Sequence, residues 1–161
     1  MTAAHIGIGS NVGDRVGHCR RAVEELRATR DIEVVDTSSL YETSPVGGPP
    51  QRSYVNGVVL ISTSLDPHAL LDACKEIETR IGRDPSEIRW GPRVVDLDIL
   101  TYGEEKVNDP DLEIPHPRMT HRRFALVPLL EVSPDATDPW GKRYEDWLDE
   151  AEGEVELLEP S

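Results

Sequence analysis

The sequence predicts an α+β fold in which an antiparallel sheet carries two helices on one face. Three observations predict it: four apolar or β-branched stretches with strand character, two amphipathic stretches with helix caps, and their order, strand–helix–strand–strand–helix–strand. A chain of 161 residues suits one domain, and 37% hydrophobic with 30% charged residues suffices for one packed core. The expected unit is therefore residues 1–161.

Residues 3–9 (AAHIGIG) are apolar and end in glycine, as a buried strand stopping at a turn does. Ser10, Asn11 and Gly13 make the turn. Asp14 is placed to accept an orphan backbone N–H, and Val16, Cys19, Val23 and Leu26 follow at helical spacing, predicting a helix over 15–29. Ile32 to Tyr41 reads as a strand, and so does Tyr54 to Thr63, where Val55, Gly57, Val59 and Ile61 share one face. Asp66 as cap, Pro67 in the first turn and Leu70, Cys74, Ile77 and Ile81 at helical spacing predict a second helix ended by Gly82. A fourth strand runs from Val94 to Tyr102.

This order is the ferredoxin-like βαββαβ pattern. Residues 104–118 read as irregular. Arg122 to Val132 has helical apolar density interrupted by Pro128, which predicts two short pieces. Tyr144, Trp147 and Leu148 predict one docked helical turn, making a short C-terminal helical extension, and the acidic stretch 152–161 has so little to bury that fraying is expected.

A formal net charge of −14 argues against nucleic-acid binding, which needs a basic footprint. Local charge tells a different story. Arg83, Arg89 and Arg93 lie close in sequence, and residues 116–123 hold His116, Arg118, His121, Arg122 and Arg123 without an acid, so both stretches are candidate anion sites. No apolar run reaches the ~20 residues of a membrane span, and MTAAHIGIGS lacks signal-peptide character, so a cytoplasmic location is expected. Cys19 and Cys74 show no ligand spacing and read as core residues.

The informative run is RWGPRVVDLDIL, residues 89–100. On a strand, Asp96 and Asp98 present two carboxylates on one face while Val95, Leu97 and Ile99 enter the other. Two like charges so close repel unless a cation sits between them, and Mg²⁺ held by a carboxylate pair beside arginines is equipment for phosphates. The loop from Arg83 to Arg93, carrying Trp90, resembles a lid. The loop from Thr43 to Ser53 is longer than a hairpin needs, and Tyr54 and Asn56 put an aromatic face and an amide on the same side of the strand leaving it, which suits a planar hydrogen-bonding heterocycle. His116 is fixed between Pro115 and Pro117, with Arg122 six residues on, a pairing that suits phosphate contact.

Together GSNVGDR (9–15), SSLYETSPVG (38–47), YVN (54–56), RWGPRVVDLDIL (89–100), IPHPR (114–118) and RRFALVPLLEV (122–132) resemble the 6-hydroxymethyl-7,8-dihydropterin pyrophosphokinase family over residues 6 to about 134. The resemblance implies transfer of pyrophosphate from ATP to the pterin hydroxymethyl group in folate biosynthesis, with AMP released and two Mg²⁺ ions on Asp96 and Asp98. It further implies that Arg83 and Arg93 act with both aspartates in catalysis. Glu78, Arg83, Trp90, Arg93, Ile99, His116 and Arg122 would bind ATP, and Thr43, Ser44, Val46, Tyr54, Asn56, Asp96 and Phe124 the pterin. A monomer with small-molecule substrates and no nucleic-acid or membrane partner is expected. The chain departs from many relatives in carrying Asp84, Pro85, Ser86 and Glu87, rather than further basic residues, between Arg83 and Arg89. A noncatalytic ferredoxin-like ligand-binding module and another Mg²⁺-dependent nucleotide transferase are the alternatives.

Overall fold

The computed structural model describes residues 1–43, 53–82 and 94–160. Its eight strands are β1 (Thr2–Ser10), β2 (Ile32–Thr37), β3 (Leu40–Thr43), β4 (Tyr54–Thr63), β5 (Asp96–Tyr102), β6 (Val107–Asp109), β7 (Leu112–Ile114) and β8 (Val155–Glu159). Three helices, α1 (Arg15–Ala28), α2 (Pro67–Gly82) and α3 (Arg123–Val132), accompany them. The main sheet runs β5-β1-β4-β3-β8, with β2 also on β4, and every pairing in it is antiparallel. This is the ferredoxin-like arrangement expected from the element order.

The helices form where their caps and apolar spacing put them. Asp14 accepts the Gly17 N–H at 3.0 Å and Asp66 accepts the Ala69 N–H at 2.8 Å, so each helix begins with an orphan donor satisfied. Cys19, Ala22 and Leu26 of α1 and Leu70, Cys74, Ile77 and Ile81 of α2 are buried against Ala4, Ile6 and Ile8 of β1, Val55, Val59 and Ile61 of β4, and Leu97 and Ile99 of β5. Both cysteines are free, and burial pushes each thiol up to about 12, which leaves them unreactive core residues.

A second, smaller core lies on the other face of the sheet. There Leu126 and Leu129 of α3 pack with Met119, Tyr144, Val58 of β4 and Leu100 of β5. That face is only partly covered. α3 leaves open the part where β1 offers Gly7 and Gly9, a region whose significance is structural first: a strand with no side chains on one face makes a flat floor. β1 and β5 pair without interruption from Ile6↔Ile99 to Gly9↔Asp96, and a bulge between His5 and Ile6 separates this stretch from the start of β1.

Four elements differ from the sequence expectation. Ile32 to Tyr41 is two strands, because the chain breaks at Ser38 and Ser39 before β3 begins. The Ser39 backbone N–H and hydroxyl both donate to the Glu131 carboxylate, at 2.9 and 2.8 Å, which fixes the break. The stretch 104–118, read as irregular, contains the β6–β7 hairpin. α3 is one helix with Pro128 inside it: the ring removes one backbone donor, but burial of Ala125, Leu126, Pro128 and Leu129 holds the turns together. The acidic tail does not fray through 159, since β8 pairs with β3 over Thr43↔Val155 to Leu40↔Glu159. The expected C-terminal turn is present as a 3₁₀ helix at Tyr144–Glu150, with Tyr144 buried.

Candidate active site

A cavity of about 480 Å³ opens on the sheet face opposite α1 and α2. Its floor crosses four strands. Thr43 of β3, Tyr54 and Asn56 of β4, Gly7 and Gly9 of β1, and Asp96 and Asp98 of β5 follow one another across it, and Phe124 and Ala125 at the start of α3 form one wall. Arg118, His121 and Arg122 form the basic side, with Glu152 of the tail beside them.

Strand alternation sets these positions. Gly9 pairs with Asn56 on one side and Asp96 on the other, and Gly7 pairs with Val58 and Asp98, so the glycines separate the amide from the carboxylates. Two strand spacings, roughly 10 Å, therefore lie between the strand carrying Asn56 and the strand carrying Asp96. Gly9 has a specific steric reason to lack a side chain: a Cβ there would meet Asn56 Nδ2 at 2.7 Å. Thr43 donates its hydroxyl to Asn56 Oδ1 at 2.6 Å, which fixes the amide so that its NH₂ end turns toward Gly9.

The acidic end is held from behind. Glu78 of α2 accepts the Leu97 N–H at 2.7 Å, and Leu97 lies between the two aspartates on the outer strand of the sheet. The strand cannot shift without breaking that bond. Arg122 lies over Phe124, its Cζ 5.3 Å from the ring centroid. Burial, then the neighbouring Arg118, lowers the pKa of Arg122, and Asp98 opposes both. His116 donates its backbone N–H to the Leu100 carbonyl at 2.9 Å, and its Nδ1 accepts the Arg118 N–H at 3.3 Å. Burial lowers the His116 pKa while the Asp98 carboxylate raises it, so the histidine and the arginine both feel the acidic end of the cavity.

The sequence-predicted residues divide accordingly. Thr43, Tyr54, Asn56, Asp96, Asp98, Arg122 and Phe124 are brought together around one cavity. Glu78 and His116 stand just behind its described walls, whereas the Ile99 side chain is in the helix-side core. Ser44, Val46, Arg83, Trp90 and Arg93 lie outside the described residues. The sequence reading assigned no site role to Gly7, Gly9 or Glu152, and took His121 only as a member of a candidate anion stretch. Two glycines at alternate positions of a strand were a legible sign of a bare floor, and His121 stood in the acid-free basic stretch; nothing in the sequence singled out Glu152.

A divalent cation fits the donor set. Asp96 and Asp98, at alternate positions of β5, offer hard oxygen ligands side by side. That suits Mg²⁺, which is held by one or two carboxylates and completes its shell with water and phosphate oxygens.

The profile of the 7,8-dihydro-6-hydroxymethylpterin-pyrophosphokinase family matches residues 5–134. The chain belongs to this family. The 2-amino-4-hydroxy-6-hydroxymethyldihydropteridine pyrophosphokinase of Methylorubrum extorquens is 47% identical over 135 residues, covering 84% of this chain and 85% of that protein. The Bacillus subtilis protein of the same name is 46% identical over 129 residues, covering 80% and 77%. In three dimensions, the crystal structure of Plasmodium falciparum HPPK-DHPS with pteroate aligns with a TM-score of 0.71 over 92% of this chain at 13% identity, a likeness of fold. This chain spans 44% of that longer one. Membership makes the chain an ATP-dependent pyrophosphokinase of folate biosynthesis that transfers pyrophosphate from ATP to hydroxymethyldihydropterin. No helix among its described residues is long and apolar enough to cross a membrane.

Proposed function

We propose that this pyrophosphokinase seats its pterin over Gly9, between Asn56 and Asp96, and its triphosphate between Asp96, Asp98 and the basic side at Arg118 to Arg122. The observation that carries this reading is the order across the floor: fixed amide, bare glycine, carboxylate pair. A flat bicyclic ring over the glycine has one edge at the Asn56 amide and its substituent toward Asp96. Tyr54 and Phe124 supply aromatic surface beside the ring, and Thr43 holds the Asn56 amide in its donating orientation.

Asp96 and Asp98 would hold two Mg²⁺ ions, which supply charge neutralisation on the triphosphate and orient the transferring group. The chain's own residues then position. The basic side chains of Arg118 and Arg122 face anionic oxygens, Glu78 keeps the aspartate strand in register, and Phe124 with Arg122 closes one wall. Arg83 and Arg93 are assigned the transferring phosphates, and Trp90 the cover of the nucleotide, by family resemblance. Action as a monomer and, with ATP as co-substrate, a cytoplasmic location are part of the same proposal.

The test is AMP formation from ATP, with and without 6-hydroxymethyl-7,8-dihydropterin and Mg²⁺, for the natural protein and for Asp98→Ala. AMP that requires pterin and metal together, and is lost in the variant while its circular dichroism stays native, supports the assignment. An active Asp98→Ala protein, or an unfolded one, removes the metal role.

A further inference from the structure

The GSNVGDR segment contributes Gly9 to the floor, but its last residue breaks a local rule. Arg15 is the first residue of α1, where the positive end of the helix dipole disfavours a cation by roughly 0.3–1 kcal/mol. It is nevertheless held in place: its side chain is 18% exposed, with Nη1 donating to the Ser53 carbonyl at 2.9 Å and Nη2 to Glu42 Oε2 at 3.1 Å. Glu42 and Ser53 belong to different strand ends. Glu42 precedes Thr43, the last residue of β3, and Ser53 precedes Tyr54, the first residue of β4.

Register shows why this matters. Thr43 pairs with Tyr54 and Tyr41 with Asn56, so these four residues share the cavity face, whereas Glu42 pairs with Val55 on the helix face. The guanidinium thus straps β3 to β4 from behind the sheet, at the pair of strands whose separation sets the Thr43–Asn56 hydrogen bond. Glu42 also faces Glu156 across the β3–β8 pair, a like-charge opposition that Arg15 offsets.

We infer that Arg15 is a positioning residue for pterin recognition, bridging Glu42 and Ser53 so that Thr43 holds the Asn56 amide against the Gly9 floor. The inference rests on the assignment of this end of the cavity to the pterin. Without the strap the last β3–β4 pair loosens, the amide loses its fixed orientation, and the pterin is bound less well. The acidic end, two strands away, keeps its geometry.

Steady-state kinetics of Arg15→Met, Arg15→Lys, Glu42→Gln, Asn56→Ala and Arg20→Met test it, with thermal unfolding of each. Arg20 is a control on the same helix, 62% exposed and paired with Glu159. The expected result for Arg15→Met is a KM for the pterin raised roughly tenfold, with kcat and the KM for ATP at natural values. Lysine, which cannot bridge both acceptors with a planar fork, restores part of the loss. Glu42→Gln gives a smaller rise in the same constant and decides the matter if Arg15→Met does not fold. A pterin KM in Arg15→Met and Glu42→Gln no higher than in Arg20→Met overturns the role of Arg15, as does a fall in kcat with the pterin KM unchanged. An unchanged pterin KM in Asn56→Ala removes the pterin assignment itself, and the inference with it.

Discussion

His5 offers a quantitative test of how the two faces of the sheet are joined. Its ring lies between Thr101 Oγ1, 2.7 Å from Nδ1, and Ser133 Oγ, 2.8 Å from Nε2, so it links β1 to β5 and to the residue that follows α3. The Thr101 hydroxyl oxygen also accepts the His5 backbone N–H at 3.2 Å; in a neutral ring one nitrogen donates and the other accepts, and the two hydroxyls can serve either tautomer. This neutral ring is fully satisfied, and burial lowers its pKa from 6.5 to about 4. The unfolded chain therefore binds a proton that the folded one refuses between those values, so stability is intact above pH 6.5 and is lost as pH falls toward 4. The slope is ~1.36 kcal/mol per pH unit and the whole effect about 3 kcal/mol. Urea unfolding of the natural protein and of His5→Gln, at several pH values from 7 to 4, measures it. The natural protein should lose about 2–3 kcal/mol more than the variant on going to pH 4.5, since glutamine does not titrate. Parallel pH profiles for the two proteins would refute the neutral, doubly bonded histidine.

Two other substitutions probe the floor and its support. Gly9→Ala introduces a Cβ 2.7 Å from Asn56 Nδ2, and forcing the amide aside should weaken pterin binding by about 1–3 kcal/mol in a fluorescence titration while ATP affinity holds; unchanged pterin affinity would mean that the ring does not use this floor. Glu131→Ala removes the acceptor for the Ser39 N–H and for the Tyr41 hydroxyl, and should lower the unfolding free energy by about 2 kcal/mol. The same variant should bring down the Tyr41 pKa, which burial first and then Glu131 push up to about 12, in an ultraviolet titration.

What the sequence showed and what it hid follow different physics. The cavity floor was legible because a strand's alternation is strict: Asp96 and Asp98, and Tyr54 and Asn56, had to share faces once their strands were recognised. Asp14 and Asp66 were legible for the same reason, since a cap works through its own neighbours. The misses are tertiary. Pro128 signals a break locally, but buried apolar neighbours along α3 outweigh one lost donor. β8 carries glutamates that favour solvation, yet an edge strand needs main-chain bonds more than a core, and Arg20 with Glu159 adds a cross-link. The Ser38–Ser39 break depends on Glu131, more than ninety positions away, which no local pattern can announce. Glu152 reaches the cavity through a bridge to Arg122, a contact between distant parts of the chain.

The bulge between His5 and Ile6 has its extra residue on β5: His5 pairs with Thr101 and Ile6 with Ile99, so Leu100 is the residue without a place in the ladder. From Ile6 to Gly9 each residue is matched to a partner on β5, and an insertion there would turn Ile6 and Ile8 toward the cavity and the glycines toward the helices. Against β4 the whole of β1 is in unbroken register, from Thr2↔Thr63 to Ser10↔Val55, so the residues ahead of the bulge have no slack for an added residue either. Length variation among sequences of this kind should therefore be absent from Thr2 to Ser10, where the spacing of binding groups is measured in whole residues.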